Sequence, residues 1–171
     1  LQKKFYRENN IPTAVFQEFK SLNDLKDEII KGKISYPFVW KSAEMGYDGY
    51  GVSVVQSDKE LEELKPGPCL IEEVIKFKKE LSVIICRRPK GETVNYPVVE
   101  SEFHPVANQV EYILCPARIS NAAEERAVEI ALKTAEAYGQ IGLLAVELFL
   151  ISDEEIIVNE VAPRPHNSGH F

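Results

Sequence analysis

Near Ile75–Lys79 the chain changes the period of its apolar residues, and that change limits the folds open to it. Before it, helical and strand patterns alternate. A charged amphipathic helix over "LQKKFYREN" is followed by a strand in "TAVFQEF" and a helix in "SLNDLKDEIIKG". Strands follow in "YPFVWKSA" and "GVSVVQS", then a short helix through "KELEEL" and a buried strand in "PGPCLIEEVI". After it, "ELSVIICRR", "ETVNYPVVESEFH" and "VEYILCPARI" alternate as antiparallel strands do. One long helix, "NAAEERAVEIALKTAEAYG", precedes a hairpin in which "GLLAVELFLIS" turns at "SDEE" into "EIIVNEV". This pattern predicts an α+β chain of two lobes.

Capping signals mark the helix ends. Ser21 caps the second helix, Asp24 stands at the capping-box position, and Gly32 ends it. Asp58 is expected to cap the short helix, and Asn121 with Glu124 to box the long one, which Gly139 ends. Val128, Leu132 and Ala135 share a helical face with Ala131 and Tyr138.

Hydrophobic residues make up 44% of the 171, enough for a core, and the net charge of −7 argues against non-specific nucleic-acid binding. No apolar run approaches the roughly 20 residues that span a bilayer. No secretory signal is visible, and the chain begins without Met, as an internal segment of a longer protein would. Cys69, Cys86 and Cys115 form no C-x-x-C pair and read as free thiols of a reducing cytoplasm.

Four stretches carry chemistry. In "WKSAEMGYDGYGV", Lys41 ends an apolar strand and Gly46, Gly49 and Gly51 follow. Such glycines let backbone N–H groups approach an anion, and the lysine adds a point charge. The spacing is not that of a P-loop, and the same residues are ordinary hairpin-turn chemistry, so both readings stay open. Glu147 interrupts an otherwise apolar strand, where a carboxylate must meet water, a partner or a metal. With the hairpin turning at Ser152–Glu154, Glu147 falls close to Glu160 in register. Two carboxylates converging from neighbouring strands suit Mg2+ bound through phosphates. In "CLIEEVIKFKKE", Glu72, Glu73 and Glu80 could hold a base edge and ribose hydroxyls, or simply be solvated. In "RPHNSGH", His166 and His170 have a zinc-like spacing, but Pro165 and Gly169 oppose a helix and no third ligand cluster stands nearby. The loop instead offers many donors for an anion or polar substrate.

Together and in this order, these stretches resemble the ATP-grasp fold, and specifically the 5-(carboxyamino)imidazole ribonucleotide synthases, the PurK family of purine biosynthesis. "NEVAPRPHNSGH" lies close to a family signature, and "GYDGYGV" and "CLIEEVIKFKKELSV" agree in type and spacing. The resemblance implies two lobes, each with an antiparallel sheet and helices. Residues 1–75 would form the small lobe with a glycine-rich flap, and residues 76–171 the large lobe. It implies flanking N- and C-terminal domains beyond this chain, which alone would be inactive.

Carried over residue by residue, Lys41 matches the lysine on ATP phosphates. Gly46, Tyr47, Asp48, Gly49, Tyr50, Gly51 and Val52 match the flap. Glu72, Glu73, Val74 and Ile75 match the linker that holds adenine, Glu80 the ribose carboxylate, and His104 a nucleotide contact. Asn159 and Glu160 match the pair near Mg2+ and the phosphates, and Glu147 the second metal carboxylate. Tyr47, Asp48, Arg164, His166, Asn167 and Ser168 match positions around bicarbonate and aminoimidazole ribonucleotide. Tyr50 stands where the family often has a basic residue.

The resemblance implies a cytoplasmic, homodimeric parent ligase that uses ATP, Mg2+ and bicarbonate, with neither nucleic acid nor membrane as partner. Two alternatives stay open: another ATP-grasp ligase, such as a formate-dependent glycinamide ribonucleotide transformylase, and a non-catalytic nucleotide-binding module.

Overall fold

The computed structural model describes residues 2–43, 51–103 and 110–170. In chain order the elements are α1 (Gln2–Glu8), β1 (Phe16–Phe19), α2 (Leu22–Ile30), β2 (Phe38–Ser42), β3 (Val52–Val55), α3 (Asp58–Glu62) and β4 (Cys69–Glu73). Then come β5 (Lys79–Arg87), β6 (Thr93–Asn95), β7 (Val99–Phe103), β8 (Val110–Leu114), α4 (Asn121–Tyr138), β9 (Gly142–Leu150) and β10 (Ile156–Ala162), with a final 3-10 turn at Asn167–Gly169. The described chain divides into two compact units. One spans Ala14–Ile75; the other joins Gln2–Thr13 to the residues from Lys76 onward.

The first unit is a four-stranded antiparallel sheet in the order β1-β4-β2-β3. Period-2 alternation buries Phe38, Trp40, Val55 and Ile71 on one face, against Leu22 and Leu25 of α2. Fully burying such a side chain contributes about 1.5–3 kcal/mol. The paired registers put Val39, Lys41, Val52, Val54, Leu70 and Glu72 together on the opposite face. Helix α2 starts as expected, with Ser21 Oγ accepting from Asp24 N at 3.1 Å, and Gly32 follows it with a left-handed φ of 70°.

The second unit is a six-stranded antiparallel sheet ordered β10-β9-β5-β7-β8, with β6 also pairing β5. Leu81, Val83 and Ile85 of β5, Leu144, Val146 and Leu148 of β9, and Val158 of β10 pack on one side against α4. Alternation therefore sends Glu80, Ser82, Ile84, Ala145, Glu147, Phe149 and Glu160 to the other side.

Four expectations change. Helix α1 packs in the second unit, not the first. Its Tyr6 is fully buried in that core, and Gln2 Nε2 donates to Val161 O at 3.0 Å. Lys3 Nζ donates to Thr13 Oγ1 at 2.8 Å, and Thr13 Oγ1 to Val158 O at 2.8 Å, which ties the segment to β10. These contacts span most of the chain, beyond the reach of local patterning. The cap of α3 is Ser57, not Asp58: Ser57 is extended and accepts from Glu60 N, while Asp58 lies in the first turn. The cap of α4 is Ser120, not Asn121, with Oγ accepting from Ala123 N at 3.2 Å. Finally, the buried face of α4 is Ala123, Ala127, Ile130, Ala131, Thr134 and Ala135, with Val128, Leu132 and Tyr138 only half-buried. Alanines on that face permit close packing, so burial follows them rather than the larger side chains.

Candidate active site

In the first unit, Lys41 from β2 and Glu72 from β4 meet on the face opposite the core, Nζ to Oε2 at 3.1 Å. Glu72 is 4% exposed and Lys41 keeps about a fifth of its side chain in solvent. A carboxylate so buried needs a cation beside it, and Lys41 supplies one. Val39, Leu70 and Val54 surround the pair with apolar surface on the same face. Glu73 points elsewhere: its Oε1 accepts from Val15 N at 3.0 Å and fixes the approach to β1. Val74 and Ile75 lie outside both sheets, between β4 and β5, where their backbone groups are not committed to a ladder.

Ser42 N donates to Gly51 O at 2.8 Å and closes the β2–β3 hairpin at the base of the glycine-rich loop. Gly51 has a left-handed φ of 88°, which glycine adopts without strain. Val52 stands directly opposite Lys41. Gly46, Tyr47, Asp48, Gly49 and Tyr50 lie outside the described residues, as does His104.

In the second unit, the hairpin register is the expected one. Glu147 of β9 pairs with Glu160 of β10, and the ladder shifts between Val158 and Glu160 so that Asn159 is the extra, bulged residue. Directly opposed residues have Cβ atoms about 4.5–5.5 Å apart, close enough for two carboxylates to share one cation. Two hard oxygen donors fit Mg2+, which leaves its other positions to phosphate and water. Among the described residues no group of three or more His, Cys, Asp or Glu side chains forms a protein-only cage. His170 is exposed at the rim, so the H-x3-H spacing builds no zinc site among these residues.

Behind Glu147 stands the terminal loop. His166 Nε2 lies 2.9 Å from Glu147 Oε1. On the other side of the ring, Nδ1 accepts from Ser168 N at 3.3 Å and lies 2.9 Å from Ser168 Oγ. Ser168 Oγ in turn accepts from Ser82 Oγ at 2.9 Å. Ser82 is on β5, directly across the ladder from Glu147. The 3-10 turn thus folds down onto β5, and both serines are 2% exposed. Gly169 permits this approach, because a Cβ there would come within 2.7 Å of Ile84 Cδ1. Arg164 and Asn167 are exposed, with Arg164 Nη1 donating to Pro165 O at 3.1 Å.

At the far end of the same face, Phe149 stacks on Phe77 at 4.4 Å and 8° between planes. Glu80 pairs across from Phe149. The sequence reading did not single out Ser82. Its signal was present: a lone hydroxyl inside "ELSVIICRR", two residues from Glu80 and so on its face.

A family model described as ATP-grasp domain matches residues 4–171. The chain belongs to the ATP-grasp family. It is 36% identical over 174 residues to the N5-carboxyaminoimidazole ribonucleotide synthase of Bacillus subtilis (strain 168), covering 99% of this chain and 45% of that protein. Among solved ATP-grasp structures, the carboxyaminoimidazole ribonucleotide synthase of Aspergillus clavatus complexed with ATP superposes with a TM-score of 0.88 at 34% identity, over 99% of this chain and 45% of that one. The Aspergillus clavatus enzyme in complex with ADP and 5-aminoimidazole ribonucleotide gives 0.84 at 32% identity, with the same coverage. The chain therefore spans a little under half the length of these ATP-grasp relatives. Among the described residues no helix is long and apolar enough to cross a membrane.

Proposed function

We propose that this chain is the nucleotide-binding part of an ATP- and bicarbonate-dependent synthase that carboxylates 5-aminoimidazole ribonucleotide. The observation that carries the reading is the Glu147–Glu160 pair on one sheet face, backed by the hydrogen-bonded "RPHNSGH" turn. Similarity to synthases complexed with ATP, and with ADP and aminoimidazole ribonucleotide, supports the substrates.

In this reading Lys41 holds ATP phosphates, the backbone at Val74 and Ile75 meets adenine, and Glu80 meets ribose. Glu147 and Glu160 hold Mg2+, which, when bound, offsets negative charge on the phosphates. Asn159 lies beside them, and Arg164 and Asn167 present donors to bicarbonate or its product. A bicarbonate oxygen forms a bond to the γ-phosphorus as the bond to the β–γ bridging oxygen breaks, and that electron pair leaves with ADP. The exocyclic amine of the ribonucleotide then bonds to the carboxyl carbon of carboxyphosphate, phosphate departs, and the amine loses a proton. The chain's own contribution is charge neutralisation and positioning.

The test is ADP release by the full-length protein carrying this segment. Bicarbonate with aminoimidazole ribonucleotide should stimulate it. Stimulation instead by formate with glycinamide ribonucleotide would assign a different ATP-grasp ligase.

A further inference from the structure

We infer that Ser82 and Ser168 are positioning residues: through His166 they fix the orientation of the Glu147 carboxylate. This rests on the reading of Glu147 as a metal carboxylate, but the hydrogen-bond chain stands on geometry alone.

Ser168 N supplies one donor of fixed direction. Ser168 N–H can only donate, and it donates to His166 Nδ1. Nδ1 therefore presents a lone pair, and the ring proton sits on Nε2. That proton is aimed at Glu147 Oε1, 2.9 Å away. The Ser168 hydroxyl, 2.9 Å from the same Nδ1, donates to it as well, because an unprotonated nitrogen can only accept. Ser168 Oγ is then left to accept from Ser82 at 2.9 Å. All the donors run one way, from Ser82 through Ser168 and His166 to Glu147. Chains so aligned polarise and strengthen one another.

The chain is also closed. Ser82 and Glu147 are cross-strand neighbours of the β5–β9 ladder, so its two ends are anchored on one rigid piece of sheet. Both hydroxyls are buried, which leaves Ser168 no access to a substrate in solution and assigns it a supporting place behind His166. The imidazole holds Oε1 of Glu147, and Glu160 stands directly across the ladder from it. Outer groups of this kind typically change metal affinity by about 10–100-fold when removed.

The experiment has two arms on the full-length protein carrying this segment. In the first, long-range 1H–15N spectra report the His166 tautomer. The wild-type chain should show the Nε2–H form, and Ser82→Ala should mix in the other tautomer. An Nδ1–H ring in the wild type, or a tautomer unmoved by both Ser82→Ala and Ser168→Ala, would overturn the proposal. The second arm is a double-mutant cycle with Mn2+ and ATP as probes. Ser82→Ala should weaken Mn2+·ATP about tenfold, Ser82→Thr should restore most of it, and Ser82→Ala should add less than about twofold in a His166→Ala background. An equal loss in both backgrounds would mean that Ser82 acts only on general stability. If Glu147→Gln leaves Mn2+·ATP binding unchanged, the metal reading itself fails, and the tautomer arm still decides the chain.

Discussion

Lys41 and Glu72 form an ion pair on the face of the first sheet opposite its core, with the carboxylate almost wholly buried and about a fifth of the lysine side chain in solvent. The pairing restrains the lysine beside Glu72. Lys41→Met should therefore weaken ATP binding and also destabilise the unit, because it removes a cation from a buried carboxylate. The stability cost should be about 2–3 kcal/mol, below the roughly 3–5 kcal/mol of a fully buried pair because Lys41 keeps some solvent. Adding Glu72→Gln should recover most of the stability in urea melts but none of the ATP binding. Recovery of both would remove Lys41 from the site.

Glu100 gives the fold a defined acid limit. Burial works against its ionisation, but Arg118 and Lys79 bond to it and outweigh that, holding it at about 2. Its folded value lies below the ordinary 4.5, so its stabilisation is complete above that value and fades as pH falls toward 2. Urea midpoints should fall between about pH 4.5 and pH 2 in the wild type. Glu100→Gln should be less stable at pH 7 and flatter across that window. Parallel curves would show that the cluster is not linked to folding.

Gly169→Ala should lift the terminal turn off β5, since the new methyl meets Ile84 Cδ1. Overpacking of this kind costs about 1–3 kcal/mol. Ile84→Val removes the opposing methyl, so the double variant should be more stable than Gly169→Ala alone. Thermal melts decide it: a double variant no better than the single one would place the strain elsewhere.

The cap of α4 can be tested by a pair of alanines. Ser120→Ala should cost about 1 kcal/mol, while Asn121→Ala, at an exposed first-turn position, should cost a few tenths at most. The reverse order in urea melts would restore Asn121 as the cap.

Much of this molecule was readable before its coordinates. That Glu147 faces away from the core followed from strand period, since Val146 and Leu148 take the core face, and turn placement brought Glu160 near it. The family followed from the order and spacing of "GYDGYGV", "CLIEEVIKFKKELSV" and "NEVAPRPHNSGH". The bulge at Asn159 was not readable, since a ladder shift depends on the partner strand. Nor was the placement of α1, whose partners lie more than 150 residues away in Val158 and Val161. The two missed caps share a cause: Ser57 and Ser120 each stand one residue before a side chain that also caps well, and only backbone geometry separates them. Ser82 escaped because a serine in an apolar strand acquires meaning only when Ser168 is seen above it.

The central claim is that Glu147 and Glu160 act together on the metal that accompanies ATP. Electron paramagnetic resonance of Mn2+ titrated with ATP into the full-length protein carrying this segment measures this directly. Bound Mn2+ should require ATP, and Glu147→Gln or Glu160→Gln should each weaken it at least tenfold, with the double variant little worse than either. Mn2+·ATP binding that is unchanged in both single variants would contradict the account.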